Sequence, residues 1–400
     1  MTWPLPVTFM RRILLTSGRE VNQQATSTTS NAHQGASITL PRMTEEHGLT
    51  RALPAYPSFM MKSCQQLAEP VNNSPMKAIL CKEYGPPNSL VLEDLPPLKP
   101  AAGQVIVSVK AAGVNFPDTL IIHNKYQFKP VLPFSPGSES AGVVKEVGEG
   151  VTALKPGDSV VTLTTFGSFA EEIAVKQAEC IPLPNGVDFK QAAGFTLTYG
   201  TSYHALKDRA QLKPNETLLV LGAAGGVGSA AIELGKLMGA RVIACASSPE
   251  KLAACKQLGA DEVINYETED LREAIKQLTK DKGVDVVYDA VGGKHAEPAL
   301  RGMNWNGRYL VVGFAAGEIP KIPMNLPLLK GCSIVGVFWG SFMRKEPATA
   351  VKNQAQLVTW LTSGKLKPLI SATYPLAQAA CALNDLLERK AIGKVVLVTG

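Results

Sequence analysis

The sequence predicts an α/β protein that joins a barrel-like all-β module to a doubly wound parallel sheet. After Met76, short runs rich in β-branched residues, such as 105–109 and Ser159–Leu163, alternate with Gly- and Pro-rich turns, which is typical of small barrels. Further along, the strand Thr217–Leu221 runs into the helix Gly226–Leu237 and opens a strand-helix-strand series. Alternation of this kind indicates a mostly parallel sheet covered by helices.

The same alternation predicts the remaining elements of the second module. We expect a second helix at 249–258 and further strands at 241–246, 263–266, 284–288, 309–312 and 334–338. The end of the chain predicts one amphipathic helix at 377–388 and a closing strand at 394–398.

The composition excludes several classes of protein. Of the 400 residues, 45% are hydrophobic and 18% are charged, which is typical of a globular chain that needs no metal or disulfide for stability. Because no run of about 18 apolar residues occurs, the sequence predicts no membrane-spanning helix. Lys and Arg number 40 against 34 acids, and the dispersed net charge of +6 argues against nucleic acid as the main partner.

The seven cysteines are scattered along the chain. The closest pair, Cys245 and Cys255, is ten residues apart, so no CxxC motif occurs. This spacing excludes a ribbon-type zinc site and gives no sign of a disulfide framework. An odd number of dispersed cysteines suits a reducing compartment.

Residues 1–75 differ in composition from the rest and are interpreted as a leader. The first 44 residues contain Arg11, Arg12, Arg19 and Arg42 but a single acid, Glu20, and they are rich in Ser and Thr. An Arg-rich, acid-poor leader is typical of a mitochondrial transit peptide. The alternative is a disordered tail without an address, which would leave the protein cytoplasmic.

A glycine-rich string follows the first strand of the predicted parallel sheet. Gly222 opens it, and Gly225, Gly226, Val227 and Gly228 lead directly into a helix. Glycines at such a turn bring backbone N–H groups close to a pyrophosphate, and the positive end of the helix dipole favours the anion. The context predicts a dinucleotide site, with a purely structural tight turn as the alternative.

The end of the second parallel strand indicates which dinucleotide is bound. NAD sites usually place an acid about 20 residues after the glycines, where it bonds the ribose 2′-hydroxyl. Here Ser247, nineteen residues after Gly228, is followed by Ser248, Glu250 and Lys251. Because no acid stands at the strand end and Lys251 can bind a 2′-phosphate, the sequence favours NADPH. The alternative for Lys251 is an ordinary surface lysine.

Six strings in order resemble the zinc-free quinone oxidoreductase branch, the zeta-crystallin-like proteins, of the medium-chain dehydrogenase/reductase superfamily. The strings are 112–118, 136–144, 155–161, 223–228, 258–266 and 392–397, within a match from Met76 to Gly400. The resemblance implies a GroES-like catalytic domain built from residues 76–199 and 340–400. A Rossmann NADP-binding domain, residues 200–339, would lie between these parts, and the resemblance also implies a homodimer.

The resemblance further implies that no zinc is bound. Asn115 and Ser138 stand where zinc-dependent relatives carry Cys and His, and the closely spaced cysteine lobe of those relatives is missing. Asn and Ser cannot form a Cys/His tetrahedral site. Without a Lewis acid to polarise an alcohol, the feasible reaction is hydride transfer from NADPH to an electron-poor acceptor such as a quinone or a conjugated enone.

The resemblance also assigns residues to the substrate side of the cleft. Asn115, Asp118 and Tyr126 match positions near the nicotinamide and are the predicted catalytic residues. The alternatives are that Asn115 and Asp118 cap a turn and that Tyr126 is a core aromatic. Leu120 differs from the tyrosine of some relatives, which leaves the acceptor open.

The cofactor side of the cleft is assigned in the same way. Thr201 matches the position that approaches the nicotinamide ring, and Lys251 and Tyr266 match contacts of the adenosine 2′-phosphate. The stretches that flank the nicotinamide contain Gly313, Phe314 and Phe338.

Three functions remain open from the sequence. The leading interpretation is an NADPH-dependent quinone reductase. An enoyl-thioester or alkenal double-bond reductase would use Tyr126 as a catalytic tyrosine. The third possibility is non-enzymatic, because zeta-crystallin-like proteins also include lens crystallins and RNA-binding proteins, although the dispersed charge gives RNA binding little support.

Overall fold

The computed structural model describes residues 74–184 and 186–400. The predictions for the leader therefore lie outside the described residues, except for its last two positions. Within the described part of the chain, no helix is long and apolar enough to cross a membrane.

The first half of the described chain is dominated by antiparallel strands. A two-stranded hairpin comes first and is followed by two long strands with a short α-helix between them, and then by three shorter strands. The elements are β1 (Met76–Leu80), β2 (Val91–Leu95), β3 (Gln104–Val114), α1 (Phe116–Ile122), β4 (Glu139–Val147), β5 (Ser159–Leu163), β6 (Glu172–Lys176) and β7 (Cys180–Pro182).

Helices and parallel strands alternate in the second half. Two helices and a π-helical turn, His204–Arg209, lead into the alternation. The elements are α2 (Phe189–Ala193), α3 (Thr196–Tyr203), β8 (Thr217–Leu221), α4 (Gly226–Leu237), β9 (Arg241–Ala246), α5 (Pro249–Gln257), β10 (Glu262–Asn265), α6 (Leu271–Thr279), β11 (Val284–Asp289), α7 (Ala296–Arg301), β12 (Met303–Val311), α8 (Asn325–Lys330) and β13 (Ser333–Gly336).

The last strands of the chain join β3, β4, β5 and β7 in a seven-stranded sheet. Two further helices precede these strands, and the elements of this part are α9 (Trp339–Lys345), α10 (Pro347–Thr362), β14 (Ile370–Pro375), α11 (Ala379–Leu387) and β15 (Lys394–Val398). The strands β14-β15-β3-β4-β5-β7 are neighbours in that order, and β6 also pairs with β3. Because β3 pairs with β4, β6 and β15, it ties the amino-terminal strands to the last strand of the chain.

The parallel sheet has the strand order β10-β9-β8-β11-β12-β13, and all of its pairs are parallel. Its central strand β8 is buried on both faces, with Leu218 and Val220 in one apolar core and Leu219 and Leu221 in the other. Side chains of a strand point alternately to opposite faces, so an apolar run without polar interruptions belongs in the middle of such a sheet. The predicted fold class, a barrel-like sheet joined to a doubly wound parallel sheet, is confirmed.

The helix α10 packs against one face of the parallel sheet. Its Leu357 and Leu361 belong to the apolar core on one face of the parallel sheet, and the Trp360 ring packs edge-on against Tyr203. The helix therefore covers the parallel sheet, although it follows β13 in the chain. The domain boundaries at 199/200 and 339/340 stay predictions.

Candidate active site

The turn after β8 has the geometry of a loop that only glycines can form. Gly222 adopts a positive φ of 68°, which other residues rarely tolerate. A Cβ atom on Gly228 would lie 2.2 Å from the Gly222 carbonyl oxygen. The twelve-residue helix α4 begins directly after Gly225. Its amino end and the tight glycine turn give the anion-binding arrangement that a pyrophosphate requires.

The glycine loop also touches the last strand of the antiparallel sheet. The Gly393 N–H donates to the Ala224 carbonyl oxygen at 2.7 Å, and Gly225 pairs with Gly393 in an isolated parallel bridge. A Cβ atom on Gly226 would lie 3.1 Å from Lys394 Cδ and 3.1 Å from Thr198 Cγ2. The loop is therefore the place where the two sheets meet.

The predicted cofactor residues share one edge of the parallel sheet. Each follows the carboxyl end of a strand: the loop after β8, Ser247 after β9, Tyr266 after β10, Gly313 after β12 and Phe338 after β13. In open α/β sheets this is the edge at which ligands bind. The structure thus brings these residues to one side of the sheet, which their separation along the chain does not show.

The remaining cofactor residues lie around this edge. Phe314 lies so close to Gly292 that a Cβ there would be 3.0 Å from Phe314 Cδ1. Thr201 is partly buried on α3, the helix whose Thr198 approaches the glycine loop. Phe338 stands at the start of α9 with 47% of its surface exposed, so its ring is available to a ligand.

Polar and aromatic side chains cluster beyond the ends of β9 and β10. Lys251 Nζ donates to Ser247 Oγ at 3.2 Å and to the Arg389 carbonyl oxygen at 2.6 Å. The Tyr266 hydroxyl also interacts with Ser247, while burial raises the pKa of Tyr266 to about 12. Lys251 and Tyr266, the two residues predicted to contact the 2′-phosphate, therefore both neighbour Ser247.

Arg389 is a member of this cluster that the sequence reasoning missed. Burial lowers the pKa of Lys251, and the nearby charge of Arg389 lowers it further. The charge of Arg389 also lowers the pKa of Tyr266, which burial raises. Two neighbouring cations form a site suited to an anion. Because 138 residues separate Lys251 from Arg389, no local pattern could reveal the pair.

On the substrate side, Asn115 and Asp118 form the start of α1. Asp118 Oδ2 accepts a hydrogen bond from the Asn115 backbone N–H at 2.8 Å, which satisfies a free donor at the helix start. Asp118 is 2% exposed, and burial raises its pKa to about 7 despite that bond. Helix capping, the simpler role considered for Asp118, is therefore present.

Both the nitrogen and the oxygen of the Asn115 side-chain amide form hydrogen bonds. Its Nδ2 donates to Glu139 Oε1 at 2.9 Å and to the Gly113 carbonyl oxygen at 3.3 Å. Its Oδ1 accepts from Lys394 Nζ at 2.6 Å. These contacts orient the amide within a buried cluster. Glu139 and Lys394 are each the one charged residue of their motif string, 136–144 and 392–397, and this is the signal that the sequence offered.

Tyr126 lies on the loop between α1 and β4, and this loop contacts α9. Burial raises the pKa of the Tyr126 phenol, and the charge of Asp118 raises it further. The Phe128 ring, 6.0 Å from that of Tyr126, lies 5.1 Å from the Arg344 guanidinium carbon on α9. Since α9 begins after Phe338, the Tyr126 loop contacts the helix that follows the residue predicted to flank the nicotinamide.

Comparison with known proteins now identifies the family. Residues 101–185 match the alcohol dehydrogenase GroES-like domain, and residues 226–356 match the zinc-binding dehydrogenase domain. The chain is 40% identical over 334 residues to "Quinone oxidoreductase-like protein 2 homolog" of Nematostella vectensis, covering 82% of this chain and 91% of that protein. The chain belongs to the quinone oxidoreductase branch of the medium-chain dehydrogenase/reductase superfamily.

Other members of this oxidoreductase family agree in length and fold. Human "Quinone oxidoreductase" is 34% identical over 81% of this chain and 98% of its own length. The crystal structure of Escherichia coli quinone oxidoreductase complexed with NADPH superimposes with a TM-score of 0.76, at 31% identity, covering 80% of this chain and 99% of that one. The resemblance found in the motif strings is confirmed.

The residues at the zinc-ligand positions of the wider superfamily do not fit a zinc ion. Asn115 offers an amide oxygen that already binds the Lys394 ammonium, a cation that would repel a metal. The buried Ser138 hydroxyl, which has no hydrogen-bond partner among the described residues, is a weak zinc ligand. Within residues 74–184 and 186–400, no three His, Cys, Asp or Glu side chains are grouped to hold a metal.

Replacing Asp118 by Asn should flatten the pH dependence of stability. In the wild-type protein the folded carboxyl keeps its proton up to about pH 7, whereas the unfolded one ionises near 3.8. Stability relative to Asp118→Asn should therefore fall as the pH rises between these values, by up to about 1.4 kcal/mol per pH unit. Denaturant unfolding of both proteins at pH 4.5, 5.5 and 6.5 measures the difference, and parallel stability curves would contradict it.

Proposed function

We propose that this protein is an NADPH-dependent reductase that transfers a hydride to a quinone or a similar electron-poor acceptor without zinc. The observation that carries the proposal is the pair of neighbouring cations, Lys251 and Arg389, beside Ser247 and Tyr266 at the carboxyl ends of the parallel strands. An adenosine 2′-phosphate would supply an anion for these two cations. The NADPH complex of the E. coli relative supports the same cofactor.

The residues present fit the cofactor along its whole length. The glycine loop and the start of α4 would hold the pyrophosphate, and Lys251 and Arg389 would hold the 2′-phosphate. Thr201, Gly313 and Phe338 would flank the nicotinamide, which supplies a hydride when bound. Phe338 and the Tyr126 loop would exclude water from that end.

The acceptor would lie on the Tyr126 side of the cleft. Burial keeps the Tyr126 phenol protonated, so it can donate a hydrogen bond to a carbonyl oxygen of the acceptor. A reduced quinone delocalises its negative charge into the aromatic ring and can take protons from water. Tyr126 would then orient the acceptor without serving as an essential acid.

Removing either cation of the anion site should weaken NADPH binding specifically. Because a hydrogen bond to a charged group contributes about 1.5–3 kcal/mol, Lys251→Ala and Arg389→Ala should each lower NADPH affinity roughly ten- to hundredfold. NADH affinity should change little, since NADH lacks the 2′-phosphate. Fluorescence titration measures both constants, and Lys256→Ala, on the same helix, serves as the control. Equal wild-type affinity for NADPH and NADH would refute the cofactor assignment.

The partly buried Tyr126 phenol also supports the second enzymatic candidate, an enoyl-thioester or alkenal reductase. In that reaction a proton must reach the carbon next to the carbonyl, and a positioned acid typically contributes ~10²–10⁴-fold. If quinone reduction is the activity, Tyr126→Phe should reduce kcat by less than about tenfold.

Initial rates with quinones, alkenals and enoyl thioesters distinguish the two reductases. Tyr84→Phe is a matched control. The Tyr84 hydroxyl donates to the carbonyl oxygen of Pro130, which lies on the loop that carries Tyr126. A collapse of turnover in Tyr126→Phe alone, with unchanged NADPH affinity, would favour the double-bond reductase.

We also propose that the protein forms a homodimer through β13, the outermost strand at one side of the parallel sheet. The edge strand β13 leaves Ile334 exposed, and the neighbouring helix α8 exposes Leu328 (75%) and Leu329. Met324 (78%) and Trp305 extend this apolar patch. An unpaired edge strand beside an exposed apolar patch is typical of an interface.

Leu328→Glu should convert the dimer into a monomer by placing a charge in the interface. Light scattering after gel filtration should give twice the mass of one chain for the wild type and a single chain for the variant. Val131→Glu, at an exposed position on the antiparallel-sheet side, should remain dimeric. A wild-type monomer at all concentrations would contradict the dimer.

A further inference from the structure

Lys394 joins the glycine loop to the substrate side of the site. The side-chain stem of Lys394 lies against Gly226, where an added Cβ would be 3.1 Å from Lys394 Cδ. Its Nζ extends away from the loop to Asn115 Oδ1, at 2.6 Å, and to the Val114 carbonyl oxygen, at 3.0 Å. A single side chain thus contacts both the predicted pyrophosphate site and the start of α1.

Glu139 completes the connection. Its Oε1 accepts from Lys394 Nζ at 2.9 Å and from Asn115 Nδ2 at 2.9 Å. Its Oε2 accepts from the Leu197 N–H at 2.8 Å, at the start of α3, the helix that carries Thr201. The carboxylate therefore links the start of α1, the last strand β15 and the start of α3.

The hydrogen bonds of this pair use every proton of the Lys394 ammonium. An ammonium group has three protons, and Lys394 donates to Val114, Asn115 and Glu139. The two side chains are 4% and 0% exposed. Buried ion pairs add little net stability compared with apolar residues, and fixing a specific arrangement is a better-attested role for them.

We propose that Lys394 and Glu139 are positioning residues that fix the glycine loop relative to Asn115 and α3. They thereby set the distance between the nicotinamide and the acceptor. This inference rests on the proposed function, because it assumes a dinucleotide on the loop and an acceptor on the Asn115 side. Lys394 reaches the substrate through Asn115 and reaches the cofactor through Gly226.

The test uses Lys394→Met and the double variant Lys394→Met/Glu139→Gln in the full chain. The single variant leaves a buried carboxylate without its counter-charge and is expected to unfold readily. The double variant removes both charges and keeps similar volumes, so it should fold. The control is Arg308→Met/Glu216→Gln, which removes a partly buried pair at the opposite end of β8, where Arg308 Nη2 lies 2.6 Å from Glu216 Oε2.

Affinities for NADPH and for 2′,5′-ADP distinguish a loss of positioning from a general loss of structure. The double variant should bind NADPH at least about tenfold more weakly, because the loop no longer has a fixed position. Its affinity for 2′,5′-ADP, which contacts the Lys251 and Arg389 site but lacks the pyrophosphate, should stay within about twofold. Its kcat should fall about a hundredfold, since a displacement of about 1 Å can cost that much. The control variant should match the wild type in all three.

Hydrogen exchange in the cofactor-free protein provides a readout that needs no activity. The backbone amides of 222–228 and those of Phe116 and Asp118 should exchange faster in the double variant, and their exchange should be unchanged in the control. Normal exchange with unchanged NADPH affinity would overturn the inference, and so would failure of the double variant to fold, because the pair would then be structural. A wild type that does not bind NADPH or reduce quinones would refute the proposed function while the exchange result still tests the pair.

Discussion

We infer that the site depends on one interaction, the buried contact between Lys394 and the Asn115–Glu139 pair. It forms only when β15, the last strand, pairs with β3, which places Val395 opposite Val114. The same strand places Gly393 against the glycine loop. This strand therefore links the seven-stranded sheet to the parallel sheet, and it brings the glycine loop close to Asn115.

The residues of the site are held in ways that cost stability. Burial raises the pKa of Asp118 to about 7, and burial together with the charge of Arg389 lowers the pKa of Lys251. Groups with perturbed pKa values of this kind gather at functional sites. We propose that the 2′-phosphate of NADPH is the anion bound by Lys251 and Arg389, and the NADPH complex of the E. coli relative supports this proposal.

Local signals in the sequence predicted the fold and the glycine loop. Strand and helix periodicity, and the position of Gly222 to Gly228 after an apolar strand, depend on neighbours in the chain. Arg389 and the Lys394–Glu139 pair could not be found this way, since 138 and 255 residues separate the partners. The engagement of both ends of the Asn115 amide was also hidden, because it depends on tertiary contacts.

A crystal structure of the protein with NADPH tests the central claim most directly. The account predicts the 2′-phosphate in contact with the side chains of Lys251 and Arg389, and the pyrophosphate on the glycine loop. The nicotinamide should then face the cleft bounded by Tyr126 and Phe338, with Lys394 still bound to Asn115 and Glu139. A 2′-phosphate that lies in solvent away from Lys251 and Arg389, or a nicotinamide directed away from Tyr126, would contradict the account.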